Sequence, residues 1–156
     1  GKLGGDGDPT DVYRSIRDAA LAFYFVQGNH DISTAEAEAL TNDDGTPCYV
    51  NGIVTQTLIG RVGGVSWVMG DPANHGRLST KSYQQILTRV VSDAPDILLT
   101  HQPPLYGVGS ESRYSGYPPT NIRIHVCGHY SYKEGCIIST EHGLILNCDG
   151  YVLDIS

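Results

Sequence analysis

The sequence predicts a mixed α/β fold, with helices in the first two thirds of the chain and short strands around them. Residues 9–21 and 80–91 carry apolar side chains at helical spacing. Short runs dominated by apolar side chains, at residues 22–26, 97–100 and 122–127, suit buried strands. The C-terminal part predicts successive antiparallel strands. We therefore expect a layered, sheet-on-sheet core flanked by helices.

The helical patterns suggest specific faces and caps. In the N-terminal pattern, Val12 and Ile16 share a face. A second helix is expected over residues 33–40, with Ser33 or Thr34 as its cap, because a hydroxyl oxygen can accept a backbone N–H at a helix start.

The middle of the chain, residues 48–69, has the composition of β-strands broken by turns. Asn51-Gly52 lies between two such runs, and this pair favours a two-residue hairpin turn. Gly63-Gly64 separates the next two runs. We expect a hairpin at residues 51–52 and a break at residues 63–64.

Composition limits the classes of function. The chain of 156 residues fits a single domain, residues 1–156, and its apolar stretches are too short to span a membrane. A net charge of −7 argues against a broad basic surface for nucleic acid. The four cysteines form no CxxC pair, so we interpret them as reduced thiols and expect a cytoplasmic protein.

Side chains that can bind a metal follow several of the apolar runs. Asn29 and His30 follow the run 22–26, His101 follows the run 97–100, and His129 follows the run 122–127. Asp6 or Asp8, after Leu3, is a fourth candidate. Because ligands bind outside the carboxyl ends of strands in open α/β sheets, we expect these groups to converge. Imidazole, amide and carboxylate ligands suit manganese, iron or zinc.

The motifs together resemble one known family. Gly28-Asn29-His30-Asp31 resembles the GNH[DE] signature of calcineurin-like metallophosphoesterases. Residues 98–104 (LLTHQPP) resemble the later histidine segment of that family, and residues 125–129 (HVCGH) resemble the start of its GHxH segment. Residues 146–150 (LNCDG) resemble its closing strand and turn. The resemblance extends over essentially the whole chain.

This resemblance implies a four-layer α/β/β/α sandwich that hydrolyses phosphoesters at a dinuclear metal site, and we expect one or two divalent metal ions in this chain. It implies that Asn29, His101 and His129 bind one metal, with Asp6 or Asp8 as a bridging carboxylate. Gly7-Asp8-Pro9-Thr10-Asp11 fits the GDxxD pattern literally, whereas Asp6 better fits a strand end. The candidate catalytic residues are His30, which would assist the leaving group, and Asp31. The expected substrate is a small phosphodiester or phosphomonoester.

Two features depart from the family pattern. An Asp-x-His segment is expected on the first strand but does not occur before Gly5, so this chain is expected to lack that strand. Ser131 occupies the position of the last histidine of GHxH. In the family, both missing groups serve the same metal. The alternative is therefore a catalytically degenerate scaffold or interaction domain that binds at most one metal.

The polar loop at residues 107–119 is a candidate rim for the substrate. Arg113 could pair with a phosphate, and Tyr114 could stack on a nucleotide-like group. The alternative interpretation of this loop is a solvated surface segment.

Overall fold

The computed structural model describes residues 8–104, 122–130 and 136–149 of the chain. Its helices are α1 (Pro9–Ala19), α2 (Thr34–Glu38) and α3 (Thr80–Ser92). Its strands are β1 (Val54–Thr57), β2 (Gly60–Val65), β3 (Val68–Met69), β4 (Arg77–Leu78), β5 (Ile97–Thr100), β6 (Ile124–Cys127), β7 (Ile137–Ser139) and β8 (Leu144–Asn147). The prediction of a mixed α/β fold is confirmed. Among the helices of these ranges, none has both the length and the apolar character needed to cross a membrane.

Six of the strands form one sheet in the order β1–β2–β5–β6–β8–β7. The central strands β2, β5, β6 and β8 are parallel, whereas the edge strands β1 and β7 are antiparallel to their neighbours. The prediction of antiparallel strands late in the chain is right for the β7–β8 hairpin and wrong for β6 and β8. The reason is that β7 lies outside β8, so β8 can pair with β6 in the parallel direction. Strands β3 and β4 form a separate parallel pair.

The sheet is covered on one face by α3. Tyr83, Leu87 and Val90 of this helix are buried against Val65 and Leu98 of β2 and β5. The predicted helix over residues 80–91 is confirmed, with Ser79 as its cap.

The N-terminal helix α1 buries a different face from the one that Val12 and Ile16 share. Val12 and Ile16 remain 39% and 43% exposed, whereas Tyr13 is buried. The Tyr13 ring lies 4.6 Å from that of Phe25, which in turn lies 5.5 Å from the Tyr49 ring. An aromatic ring buries more apolar area than an aliphatic side chain and gains from ring–ring contacts, so the helix turns Tyr13 inward.

The cap predicted for the second helix is confirmed at Ser33. Its hydroxyl accepts the N–H of Glu36, and the Glu36 carboxylate accepts the N–H of Ser33, which together form a capping box. The strand expected over residues 22–26 is not formed. Phe25 makes a single parallel bridge with Tyr49, so this run is extended without joining a ladder of several residues.

The hairpin predicted at Asn51-Gly52 is also wrong. Asn51 instead pairs with Gly64, and the turn between β1 and β2 falls at residues 58–59. Gly60 closes that turn with a φ of +120°, a conformation that glycine adopts without strain. The expected break at residues 63–64 lies inside β2, because a Cβ on Gly64 would lie 2.5 Å from Val26 Cγ1. These glycines therefore permit close packing rather than a turn.

Candidate metal-binding site

Two histidines meet at one edge of the sheet because β5 and β6 are neighbouring parallel strands. Leu98 of β5 pairs with His125 of β6, so the carboxyl ends of the two strands lie side by side. His101 follows β5 and His129 follows β6, and their ring centroids are 4.8 Å apart. The sequence-based prediction that these two side chains converge is confirmed.

His129 adopts a φ of +72°, which is rare for a residue with a side chain. Left-handed backbone in such a residue costs about 1–2 kcal/mol, so the surrounding structure has to hold it in place. The turn begins at Gly128. A Cβ atom placed on Gly128 would have only one neighbour within 4 Å among the described residues, His101 Nδ1 at 3.9 Å. The strained turn therefore directs the chain back toward His101.

Asn29 completes a group of three. Its Oδ1 lies 3.1 Å from His101 Nε2, and both residues are 7% exposed. Because an amide oxygen can only accept, His101 Nε2 carries the proton in this hydrogen bond. Gly76 packs directly on the Asn29 backbone, where any side chain at position 76 would collide with the Asn29 Cα. Asn29 is thus held between His101 and the loop before β4.

Burial keeps both imidazoles neutral. Burial lowers the pKa of His101 to about 3, and repulsion from His129 and His30 contributes to this decrease. The pKa of His129 is also lowered, first by burial and then by the positive charge of Arg77. A neutral imidazole has a lone pair on one ring nitrogen only, and in His101 this is Nδ1, because Nε2 donates to Asn29. Binding of a metal at His101 Nε2 would require that proton to move to Nδ1.

Asp149, to which the sequence-based prediction gave no role, lies close enough to His101 and His129 for its charge to act on them. Its carboxylate charge acts on both His101 and His129, where it opposes the lowering of their pKa values. Asp149 follows β8, which is parallel to β6 and adjacent to it, so its position obeys the same strand-end rule. Its backbone N–H donates to Asn147 Oδ1 at 2.9 Å, which stabilises the turn.

The two candidate catalytic residues have different surroundings. His30 is exposed, and its charge acts on both His101 and His129, so it lies at the open side of the group. The Asp31 carboxylate accepts the N–H of Gly28 within the same turn. Burial raises the pKa of the Tyr13 phenol, and the neighbouring Asp31 carboxylate raises it further. Asp31 therefore stabilises the turn that carries Asn29 and His30.

The other predicted site residues are not brought to this group by any described contact. Asp8 is the N-cap of α1: its Oδ1 accepts the N–H of Thr10 at 2.9 Å, which lowers the pKa of the Asp8 carboxyl. Asp6, Arg113 and Tyr114 lie outside the described residues.

Asn29, His101 and His129 together present one amide oxygen and two imidazoles, which are ligand types that divalent transition metals accept. The 3.1 Å separation of Asn29 Oδ1 and His101 Nε2 is that of a hydrogen bond. Within residues 8–104, 122–130 and 136–149, no group of three or more His, Cys, Asp or Glu side chains has the arrangement of a metal site. Comparisons of the chain with protein-family models, with curated proteins and with solved structures found no match.

Proposed function

We propose that this protein hydrolyses a small phosphoester with the help of a divalent metal ion, as calcineurin-like metallophosphoesterases do. The observation that carries the proposal is the 3.1 Å contact between Asn29 and His101, with the His129 ring beside them. These three residues come from separate parts of the sequence, and each belongs to a motif that resembles the family. Manganese, iron or zinc fits two neutral imidazoles and an amide oxygen.

Each residue has a role that follows from its surroundings. Asn29, His101 and His129 would hold the metal, and Asp149 would supply negative charge next to the two imidazoles. A divalent metal bound there lowers the pKa of coordinated water and neutralises charge on phosphate oxygens. His30, on the open side, would donate a proton to the departing oxygen. Asp31 would position His30 through its hydrogen bond to Gly28.

The test uses two aryl phosphodiesters in the presence of manganese, one with a 4-nitrophenyl leaving group and one with a phenyl leaving group. The nitrophenolate departs without help from an acid, whereas the phenolate needs a proton. His30→Ala should therefore reduce kcat on the phenyl ester by about 100-fold or more, and on the nitrophenyl ester much less. His142→Ala is the matched control, because His142 lies in the β7–β8 turn beside Glu141.

Metal binding is measured separately by calorimetry with manganese. Asn29→Ala and His101→Ala should each weaken manganese binding by at least ten-fold, because each removes one ligand of a small set. Hydrolysis by the wild-type protein that continues unchanged after complete chelation of metal would reject the proposed mechanism.

The second candidate is a scaffold or interaction domain that keeps at most one metal. It is favoured by Ser131, because a neutral hydroxyl is a poorer ligand than the imidazole that the family pattern has there. A wild-type protein that binds manganese through Asn29 and His101 but does not turn over either ester would support this candidate over the hydrolase.

The same proposal includes the four-layer α/β/β/α arrangement and a cytoplasmic location. Two parallel bridges support the former: Asn51–Gly64 brings extended chain alongside β2, and Phe25–Tyr49 brings a further extended segment alongside that chain. Slow amide exchange at Phe25 and Val50 would agree with a sheet there, because their N–H groups donate to Cys48 and Phe25. Fast exchange at both positions would argue against it.

A further inference from the structure

A cleft of about 440 Å³ opens next to the metal-binding group. It lies between the turn that carries Asn29 and the loop that leads into β4. Gly76, in its wall, packs on the Asn29 backbone, so the cleft and Asn29 share a boundary. Pockets for small organic ligands typically enclose about 300–1,000 Å³, and this cleft falls in that range.

The Gln27 side chain lines this cleft and contains a buried hydrogen-bond acceptor. Gln27 is 1% exposed, and its Nε2 donates to the Ile32 carbonyl at 2.5 Å. That bond fixes the orientation of the amide, because a carbonyl can only accept. Gln27 Oε1 is buried and has no hydrogen-bond partner in the part of the chain that the structure describes. A buried acceptor of this kind is costly unless a ligand or water donates to it.

A strained aromatic residue stands on the same wall. Trp67 has a φ of +67°, which is unusual for any residue other than glycine, and its N–H donates to the Gln27 carbonyl at 2.8 Å. Strained backbone persists where the surrounding structure fixes it, and such residues cluster at ligand sites. Trp67 is half-buried and lines the cleft, so its indole ring is available to a planar ligand.

A positive charge lies where the cleft approaches the histidines. Arg77 lines the cleft, and its charge acts on His129. Among the described residues, no carboxylate lies within ion-pair distance of Arg77. An anionic group of a ligand in the cleft can therefore pair with Arg77.

We propose that the cleft binds the organic part of the substrate, and that this part is a planar aromatic ring with an exocyclic amine, as in adenine, cytosine or guanine. The ring stacks on Trp67, its amine donates to Gln27 Oε1, and the attached phosphate pairs with Arg77 beside His129. The assignment of a nucleotide as the substrate rests on the proposed phosphoesterase function. Its test measures nucleotide binding separately from hydrolysis, so the two proposals can fail independently.

The test uses the fluorescence of Trp67, the only tryptophan in the sequence. Adenosine 5′-monophosphate is titrated in the presence of a chelator, so that binding does not depend on metal. Three further ligands each remove one interaction: purine riboside 5′-monophosphate lacks the amine, adenosine lacks the phosphate, and ribose 5-phosphate lacks the ring. We expect quenching by adenosine 5′-monophosphate and about ten-fold weaker binding of the nucleotide without the amine.

Variants test the same contacts from the protein side. Arg77→Gln should weaken binding of adenosine 5′-monophosphate without affecting adenosine. The matched control is Arg61→Gln, since Arg61 is exposed at the start of β2, away from the cleft. Gln27→Met should reduce the preference for the amine-bearing nucleotide. Because Gln27→Met also removes the bond to Ile32 and can unfold the protein, the ligand series serves as the independent test of this contact.

The outcomes distinguish the two proposals. One outcome would overturn the nucleotide assignment and leave the phosphoesterase function intact: the protein hydrolyses the aryl esters, but adenosine 5′-monophosphate causes no quenching up to about 10 mM. That limit lies about ten-fold above the weak end of typical KM values. Equal binding of the nucleotides with and without the amine would also overturn that assignment. Selective quenching without any hydrolysis would support the cleft assignment while removing the catalytic proposal.

Discussion

Acidic pH should destabilise this protein through His125, a histidine enclosed by the core. His125 is 2% exposed, and its Nε2 lies 2.7 Å from Thr100 Oγ1. The Thr100 hydroxyl donates to the Gln102 carbonyl at 2.6 Å, so it accepts the N–H of His125. The protonated imidazole would be a charge in a site shaped for a neutral ring.

The size and sign of the effect follow from the pKa. Burial lowers the pKa of His125 from 6.5 to about 3. Between these two values the unfolded chain binds a proton and the folded protein does not, so stability falls as the pH falls below about 6.5 and levels off below about 3. Linkage then gives a loss of about 2 kcal/mol in the free energy of unfolding between pH 7.5 and pH 5.

Urea unfolding at pH 7.5 and pH 5 measures this loss. The variant His125→Gln keeps a donor for Thr100 but cannot be protonated, so its loss should be about 2 kcal/mol smaller than that of the wild type. All other titrating groups are shared by the two proteins. The control His142→Gln, in the β7–β8 turn, should lose as much as the wild type. Equal losses in the wild type and His125→Gln would refute this reasoning.

Two substitutions test the packing and the caps. Ser33→Ala removes the hydroxyl that caps α2 and should reduce stability by about 1 kcal/mol, seen as a lower midpoint of thermal unfolding, whereas Glu36→Gln should keep most of the capping box. Gly64→Ala places a Cβ 2.5 Å from Val26 Cγ1 and should cost about 1–3 kcal/mol in urea unfolding. Gly128→Ala, which has only one neighbour at 3.9 Å, should cost less, and equal losses would contradict the packing argument.

Local sequence was sufficient for the elements whose pattern and packing agree. The predicted strand at residues 97–100 matches β5, and the helix predicted over residues 80–91 matches α3 to within one residue. Asn51-Gly52 misled the prediction because the same pair that favours a hairpin turn also allows the chain to lie against Gly64. Which of the two occurs depends on Val26 and other distant residues, which a local pattern does not contain.

In the candidate site too, some features could be predicted from the local sequence and others could not. The convergence of His101 and His129 could be predicted because each follows an apolar run, and parallel strands end at one edge. Asp149 lies in the segment 146–150, which resembles the closing strand and turn of the family, but the prediction gives this segment no ligand role. Its position next to the histidines depends on the parallel pairing of β8 with β6. The direction of β8 depends on the placement of β7 outside it, and that placement has no local signature.

The contact between Gly76 and Asn29 has a mechanical consequence. The loop before β4 forms a wall of the cleft and also rests on the Asn29 backbone, so the wall cannot move inward without displacing Asn29. A ligand that draws this loop toward itself would therefore shift Asn29, a proposed metal ligand, as it binds. Recognition of the organic part of a substrate would then be coupled to alignment of its phosphate at the histidines, because both depend on the contact between Gly76 and Asn29.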